Sequence, residues 1–181
     1  WNGQWQRAYG TASTHITLPA DQAVALPDGI SLETGAILGI PGLPAAEAVF
    51  GGGDVAGQTL LVSGGGGTVG YLAVQLAAWA GAKVIATCSA RDMDRVKAAG
   101  ADSVLDYRSD TLAADILATN GGAPVARILE VEFGANVAMN TEVIAPNGTI
   151  AAYGSQIEMV PTLPFGPLLF KAATLDIILI Y

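Results

Sequence analysis

The glycine-rich segment at residues 62–70 constrains the fold of this chain more than any other feature. Gly65, Gly67 and Gly70 satisfy the pattern G-x-G-x-x-G, and Gly64 offers a second register, G-x-x-G-x-x-G. Glycines at this spacing allow a tight turn, let the backbone approach a pyrophosphate, and let the next helix pack closely on its strand. The segment predicts a dinucleotide-binding turn, although a glycine-rich run can also be a flexible loop.

The residues on either side of the glycines favour the dinucleotide-binding interpretation. Thr59–Val62 is short, apolar and rich in β-formers, which is typical of a buried parallel strand. After the glycines, apolar residues recur at helical spacing up to Gly81, where a helix C-cap is expected; they are Val69, Leu72, Ala73, Leu76, Ala77 and Ala80. Strand character returns at Lys83–Thr87. The order strand, glycine turn, helix, strand indicates a βαβ unit.

The same alternation continues along the chain and indicates the fold class. The further predicted elements are a helix from Ser89 to Gly100, a strand at Ser103–Leu105, a helix at Thr111–Thr119, a strand at Val125–Val131, a helix at Asn136–Ile144 closed by Pro146–Gly148, and strands at Thr149–Tyr153 and Ala173–Ile180. Six strands with intervening helices predict an α/β fold with a doubly wound, six-stranded parallel sheet of the Rossmann type.

Composition and charge exclude several classes of protein. With 51% hydrophobic and 13% charged residues, the 181-residue chain can bury a large core. The most apolar stretch, residues 163–181, contains two prolines and two charged residues, so we expect no membrane span. The net charge of −8 argues against nucleic-acid binding, which needs clustered cations. No signal peptide is visible at residues 1–10, and the lone cysteine, Cys88, permits no internal disulfide, so we expect a cytoplasmic protein.

Residues 1–58 do not belong to the repeating unit. Residues 12–25 show β-like alternation, Leu26–Gly29 predicts a turn, and Glu33–Phe50 predicts a helix interrupted at Gly39–Gly42. The chain begins at Trp1 without an initiator methionine. We therefore interpret it as a piece of a longer protein.

Five segments carry a family resemblance through their order and spacing: residues 26–50, 60–87, 100–108, 133–136 and 145–155. Through them the chain resembles the medium-chain dehydrogenase/reductase superfamily, and within it the zinc-free quinone oxidoreductases of the zeta-crystallin type. The resemblance implies three parts: residues 1–25 as the end of a GroES-like catalytic domain, residues 26–58 as a linking helical segment, and residues 59–181 as an NAD(P)-binding Rossmann domain.

The residue at one position argues against a zinc site. Zinc-dependent relatives carry a cysteine ligand after a Leu-Gly pair, whereas here Leu38–Gly39 is followed by Ile40, which cannot bind zinc. One cysteine and one histidine cannot assemble a zinc site from these residues, and we expect the histidine, His15, on the surface. No metal site is predicted.

The expected cofactor depends on the end of the second predicted strand. NAD-binding units usually place Asp or Glu there, but this chain has Thr87-Cys88-Ser89. The missing acid favours NADP, with Arg91 pairing with the 2′-phosphate and Ser89 donating a hydrogen bond.

Two neighbours of this site have competing interpretations. The resemblance places Tyr107 in the adenine and 2′-phosphate pocket. Arg91 could instead pair with Asp92 or Asp94, and we expect Asp92 to cap a helix rather than to bind ribose.

The resemblance also places Asn136 and the segment Tyr153–Ser155 near the nicotinamide, although Asn136 is equally a good helix N-cap. One departure from the family is Gly42-Leu43-Pro44, where relatives often carry Thr in place of the proline, so a hydroxyl contact is lost. The predicted cofactor-binding residues are Gly65, Gly66, Gly67, Thr68, Val69, Gly70, Ser89, Arg91, Tyr107, Asn136, Tyr153, Gly154 and Ser155.

The resemblance implies an NADPH-dependent oxidoreductase that transfers a hydride to a quinone or an α,β-unsaturated carbonyl. None of these residues is assigned a catalytic role, so we expect the chain alone to bind cofactor with little turnover. The alternatives are a zinc-dependent, NAD-linked alcohol dehydrogenase and a non-enzymatic NADP-sensing or scaffold protein. The apolar last strand, Leu175 to Tyr181, predicts a homodimer formed through the sheet edge.

Overall fold

A computed structural model describes residues 10–180 as a six-stranded, fully parallel sheet with helices on both faces. The strand order is β3-β2-β1-β4-β5-β6. The strands are β1 (Thr59–Val62), β2 (Lys83–Cys88), β3 (Ser103–Asp106), β4 (Val125–Glu130), β5 (Ile144–Ala152) and β6 (Thr174–Ile177). The predicted doubly wound fold is confirmed. The first nine residues and Tyr181, which the sequence assigned to the last strand, lie outside the described residues.

Six α-helices accompany the sheet within the described part of the chain. They are α1 (Leu32–Phe50), α2 (Thr68–Trp79), α3 (Met93–Ala98), α4 (Leu112–Thr119), α5 (Phe133–Val143) and α6 (Phe165–Phe170). Short 3₁₀ turns occur at Ala20–Gln22 and Ala90–Asp92. Among the residues that the structure covers, no helix is both long enough and apolar enough to cross a membrane.

The sheet separates two apolar cores because successive side chains of a strand point to opposite faces. On β1, Leu60 and Val62 belong to the core that α1 and α2 cover, whereas Leu61 faces the core beneath α4 and α5. All three side chains are fully buried. Burial on both faces explains why β1 reads as a continuous apolar run.

The linking helix α1 differs from its prediction. The expected interruption at Gly39–Gly42 is wrong, since α1 runs unbroken through Pro41 and Pro44. Its N-cap is Ser31, whose hydroxyl accepts a hydrogen bond from the Thr34 amide at 3.2 Å. Its C-terminal half packs into the core, where the buried residues are Ala45, Ala48 and Val49. This tertiary packing outweighs the local cost of two prolines.

The β-like alternation at residues 12–25 forms no strand. Within residues 10–31 the regular structure is confined to the 3₁₀ turn Ala20–Gln22, and most side chains there are exposed. A strand requires a neighbour for its backbone hydrogen bonds, and neither sheet edge pairs with this segment.

The predicted boundaries around α5 are also wrong. The helix starts at Phe133 instead of Asn136, and the predicted turn Pro146–Gly148 lies inside β5. There Asn147 adopts φ 59°, and the register between β4 and β5 shifts. The helix end is closed from a distance by Lys171, whose ammonium group donates to the backbone oxygens of Thr141, Glu142 and Ile144 at 2.7–3.0 Å.

Candidate functional site

An open cleft of about 400 Å³ lies at the carboxyl ends of β1, β2 and β3. Its lining combines the glycine turn with the residues that follow β2 and β3; these are Gly64, Gly66, Gly67, Cys88, Ser89, Arg91, Asp92, Tyr107 and Arg108. Open α/β sheets bind ligands at this edge, because the loops after parallel strands converge there. The cleft therefore brings together the predicted adenosine-side residues Ser89, Arg91 and Tyr107.

The glycine turn is shaped by close backbone approaches. Gly64 has φ 71°, which only glycine adopts without strain, and a Cβ on Gly70 would collide with the Gly64 carbonyl oxygen. Gly67 donates its amide to that same oxygen at 2.9 Å. These contacts bring the first turn of α2 directly against the end of β1, so the N-terminus of α2 faces the cleft, an arrangement suited to binding an anion.

The predicted glycine-turn residues have different positions. Gly66 and Gly67 line the cleft, whereas Gly65 donates its amide to the Thr87 carbonyl at 2.8 Å and faces the core. Thr68 and Val69 begin α2, and Gly70 is buried in its first turn. Gly64 lines the cleft as well, although the sequence analysis had named it only as part of an alternative register.

Asp92 occupies an unexpected position beside the glycine turn. Its carboxylate makes no capping bond to α3, so the predicted capping role is wrong. Ser89, predicted to begin that helix, instead donates its hydroxyl to Asp92 Oδ2 at 2.7 Å. A Cβ placed on Gly66 would lie 3.0 Å from the same oxygen. These hydrogen bonds from Ser89 and Arg91 hold the pKa of Asp92 below its usual value, so the carboxylate is ionised.

Arginine side chains surround this carboxylate. Arg91 donates from Nε to Asp92 at 3.2 Å, while 86% of its side chain stays exposed, which leaves the guanidinium ends accessible. Arg95 lies 3.7 Å from Asp92 Oδ1 and covers the Tyr71 ring. Arg91 thus pairs with Asp92, as the competing interpretation predicted. It does so through Nε alone, so the other N–H donors of the guanidinium stay available for a ligand.

Arg108 is a cleft residue that the sequence analysis missed. Its guanidinium stacks over the Tyr107 ring at 4.5 Å and lies 3.7 Å from Asp106. The sequence could have indicated it, because Arg108 directly follows Tyr107, a predicted site residue, after the end of β3. A planar guanidinium stacked on a phenol ring is suited to binding a phosphate or an adenine face.

A second polar cluster lies where the sheet order reverses between β1 and β4. Asn136 donates from Nδ2 to Glu130 at 3.0 Å and lies 3.4 Å from the Ser63 hydroxyl. It is therefore not the helix N-cap, since α5 begins three residues earlier. Glu130 is fully buried and also accepts bonds from the Glu132 amide at 2.7 Å and Asn140 at 2.8 Å. This carboxylate, absent from the predictions, orients Asn136 towards the end of β1.

The loop after β5 is packed tightly and is held by a second unpredicted acid. Glu132 accepts hydrogen bonds from the amides of Gln156 and Ile157 at 2.9 Å. Burial raises the pKa of Glu132, but these amide donors outweigh it and leave the pKa below its usual value. The sequence could have indicated both acids, because Glu130 and Glu132 lie at the end of the predicted strand Val125–Val131, where polar residues reach the ligand-binding edge of the sheet.

The predicted nicotinamide-side residues contact protein rather than the cleft. Gly154 accepts the Phe133 amide at 3.0 Å, and Ser155 accepts the Gly134 amide at 2.8 Å. Tyr153 lies against the apolar core; its hydroxyl is buried without a hydrogen-bond partner among the described residues, and burial raises its pKa above the usual range. Their assignment to the cofactor stays a prediction, as does that of the other site residues.

Within residues 10–180 no cluster of three or more His, Cys, Asp or Glu side chains has the arrangement of a metal site. Ile40, at the position where zinc-dependent relatives have cysteine, lies on α1 with more than half of its surface exposed. Cys88 is buried at the back of the glycine-turn cleft, where burial raises its thiol pKa.

Comparison with known proteins identifies a family and several relatives. The family described as zinc-binding dehydrogenase matches residues 68–181. A trans-enoyl reductase from Macrophomina phaseolina is 36% identical over 122 residues, which cover 60% of this chain and 34% of the relative. The chain thus spans about a third of the length of such curated relatives.

Solved structures agree in fold. The crystal structure of a putative alcohol dehydrogenase from Sinorhizobium meliloti is 30% identical with a TM-score of 0.84, and the match covers 91% of this chain and 49% of that one. The quinone oxidoreductase of Escherichia coli, crystallised with NADPH, is 25% identical with a TM-score of 0.80, covering 88% of this chain and 50% of that one.

Proposed function

Because the chain belongs to the zinc-binding dehydrogenase family of the medium-chain dehydrogenase/reductase superfamily, we propose that it is the cofactor-binding domain of an NADPH-dependent oxidoreductase. The proposed reaction passes a hydride to a quinone or an α,β-unsaturated carbonyl. Oxidoreductase chemistry is common to the quinone oxidoreductases and enoyl reductases that the chain resembles.

The observation that carries this proposal is the convergence of the glycine turn with Ser89, Arg91 and Tyr107 in one cleft. The turn suits a pyrophosphate, because the absence of a Cβ on Gly70 lets the first turn of α2 lie against the Gly64 carbonyl oxygen and places the helix N-terminus beside the cleft. Arg91 and Arg108 line the same cleft and supply cations for a 2′-phosphate. The solved complex of the Escherichia coli relative with NADPH supports the choice of cofactor.

A bound nicotinamide supplies the hydride, and the residues of this chain bind and orient it. Backbone amides at the glycine turn and the start of α2 offset the pyrophosphate charge. Arg91 and Tyr107 would hold the adenosine end, whereas the Ser89 hydroxyl, whose hydrogen goes to Asp92, can only accept a hydrogen bond there. At the crevice between β1 and β4, Glu130 accepts a hydrogen bond from Asn136 Nδ2. This bond holds the Asn136 amide close to the Ser63 hydroxyl at the end of β1. Binding energy is thereby used for orientation, which is the contribution of this domain to the rate.

Two measurements test the proposal. Calorimetric titration of the chain with NADPH should show binding, and absence of binding would contradict the assigned cleft. The longer protein should oxidise NADPH with a quinone or an enone, whereas binding without oxidation would favour an NADP-sensing protein. The chain alone is expected to bind but to turn over poorly; robust reduction by these residues alone would contradict its assignment as a cofactor-binding domain.

We also propose that the protein is a homodimer joined at β6. This strand lies at the sheet edge, and Ile177 and Leu179 are 76% and 66% exposed. An unpaired apolar edge favours pairing with a second copy. Ile177→Lys should shift sedimentation from dimer to monomer, with exposed Ile157→Lys as the control outside the strand. A wild-type protein that sediments only as a monomer at high concentration would refute the dimer.

A further inference from the structure

Asp92 has the features of a ligand-directed carboxylate rather than a structural one. It stands at the N-terminus of α3 yet makes no bond to the helix backbone. It lines the cleft, with 19% of its side chain exposed, and its Oδ2 adjoins Gly66 of the glycine turn. A carboxylate beside this turn is in reach of the ribose next to a bound pyrophosphate.

The carboxylate retains acceptor capacity on the side of Oδ1. Oδ2 accepts from Ser89 at 2.7 Å and from Arg91 at 3.2 Å. Oδ1 has its nearest cation, Arg95 Nη2, at 3.7 Å, which is longer than a hydrogen bond. An ionised carboxyl oxygen has two lone pairs, so Oδ1 can accept from a ribose hydroxyl.

We propose that Asp92 binds the adenine ribose hydroxyls of NADH and thereby limits the preference of this cleft for NADPH. This inference rests on the proposed function, since it assumes that the cleft holds a nicotinamide dinucleotide. No acid stands at residues 87–89, where NAD-binding units usually carry one. Asp92, at the end of the following 3₁₀ turn, takes over this role, and the hydrogen bond from the Ser89 hydroxyl holds its carboxylate in place. With NADPH, the same negative charge opposes the 2′-phosphate and partly offsets Arg91 and Arg108.

The test is calorimetric titration of the 181-residue chain and its Asp92→Asn variant with NADH and with NADPH. Loss of a charged acceptor should weaken NADH binding by about tenfold. Loss of the opposing charge should strengthen NADPH binding by a few-fold to about tenfold. Asp94→Asn is the matched control, because Asp94 lies two residues further on, in the first turn of α3, and does not line the cleft.

The outcomes separate the inference from the function on which it rests. If the wild type binds neither cofactor, the proposed function fails. If it binds them but Asp92→Asn changes the NADH-to-NADPH ratio no more than Asp94→Asn does, only the role of Asp92 fails. Asp92→Ser, which also removes the charge, must shift the ratio in the same direction and serves in place of an Asn variant that does not fold.

Discussion

We predict that Glu130→Gln leaves the free energy of unfolding within about 1 kcal/mol of the wild type, whereas Glu130→Ala lowers it by about 3–5 kcal/mol. Glu130 is fully buried and accepts three hydrogen bonds, from the Glu132 amide and from the side chains of Asn136 and Asn140. None of the ion pairs found within residues 10–180 involves Glu130. Its two carboxyl oxygens therefore accept hydrogen bonds from neutral donors only.

The magnitude depends on Asn140. In the wild type, Asn140 Oδ1 is buried without a partner among the described residues, while Nδ2 donates to Glu130. In the Glu130→Gln variant, rotation of the Asn140 amide by half a turn presents Oδ1 to the new Nε2–H and moves Nδ2 to the side where Oδ1 had no partner. One polar group of Asn140 therefore stays without a partner, as in the wild type. Alanine offers no acceptor, so the buried Asn140 Nδ2 and the part-buried Glu132 amide lose their partner, and Asn136 Nδ2 keeps only the Ser63 hydroxyl at 3.4 Å. Each lost bond costs about 1–3 kcal/mol before relaxation.

Urea unfolding followed by circular dichroism measures both changes as shifts in midpoint at constant slope. Glu142→Gln, which replaces an exposed acid on helix α5, is the control and should change stability by less than about 0.5 kcal/mol. Asn140→Leu should cost more in the Glu130→Gln background than in the wild type, since it removes the acceptor for the new Nε2–H. A Glu130→Gln variant as unstable as the Glu130→Ala variant would refute the amide rotation.

Three further predictions concern the site. Gly70→Ala should abolish NADPH binding in calorimetry and lower the urea midpoint, because its Cβ meets the Gly64 carbonyl; unchanged binding would contradict the turn geometry. The folded state lowers the pKa of Glu132, so ionised Glu132 stabilises the fold. This contribution to the free energy of unfolding is complete above pH 4.5, the usual pKa, and is lost as the pH falls through the lowered pKa. Glu132→Gln should flatten that acid limb in pH-dependent unfolding, and an unchanged limb would contradict the assignment. Arg91→Ala should weaken NADPH binding by about tenfold and NADH binding much less, with Lys97→Ala as the neutral control.

Much of the fold was predictable because its signals are local. The glycine turn, the apolar strand β1 and the helical period of α2 each lie within a few consecutive residues. The alternation of strands and helices then leaves few topologies, because parallel strands must be joined by right-handed crossovers. The observed strand order, with its reversal between β1 and β4, is one of these topologies.

Element boundaries were less predictable where distant residues set them. The N-cap preference of Asn136 was overridden, because its amide is held by Glu130 at the end of β4. The end of α5 is set by Lys171, which approaches from the far end of α6. Neither constraint can be read from local preference, which gave the wrong start for α5 and the wrong beginning for β5.

The candidate site shows the same division. The sequence by itself determined the βαβ unit, the glycine turn and the presence of Ser89, Arg91 and Tyr107 after successive strands, since each depends on short-range backbone preferences and on the strand period. Only the tertiary structure decided that Asp92 turns back against Gly66 and that Glu130 is buried beneath Asn136. The physical reason is that a carboxylate takes the place where donors converge, and those donors come from segments that meet only after the sheet has formed.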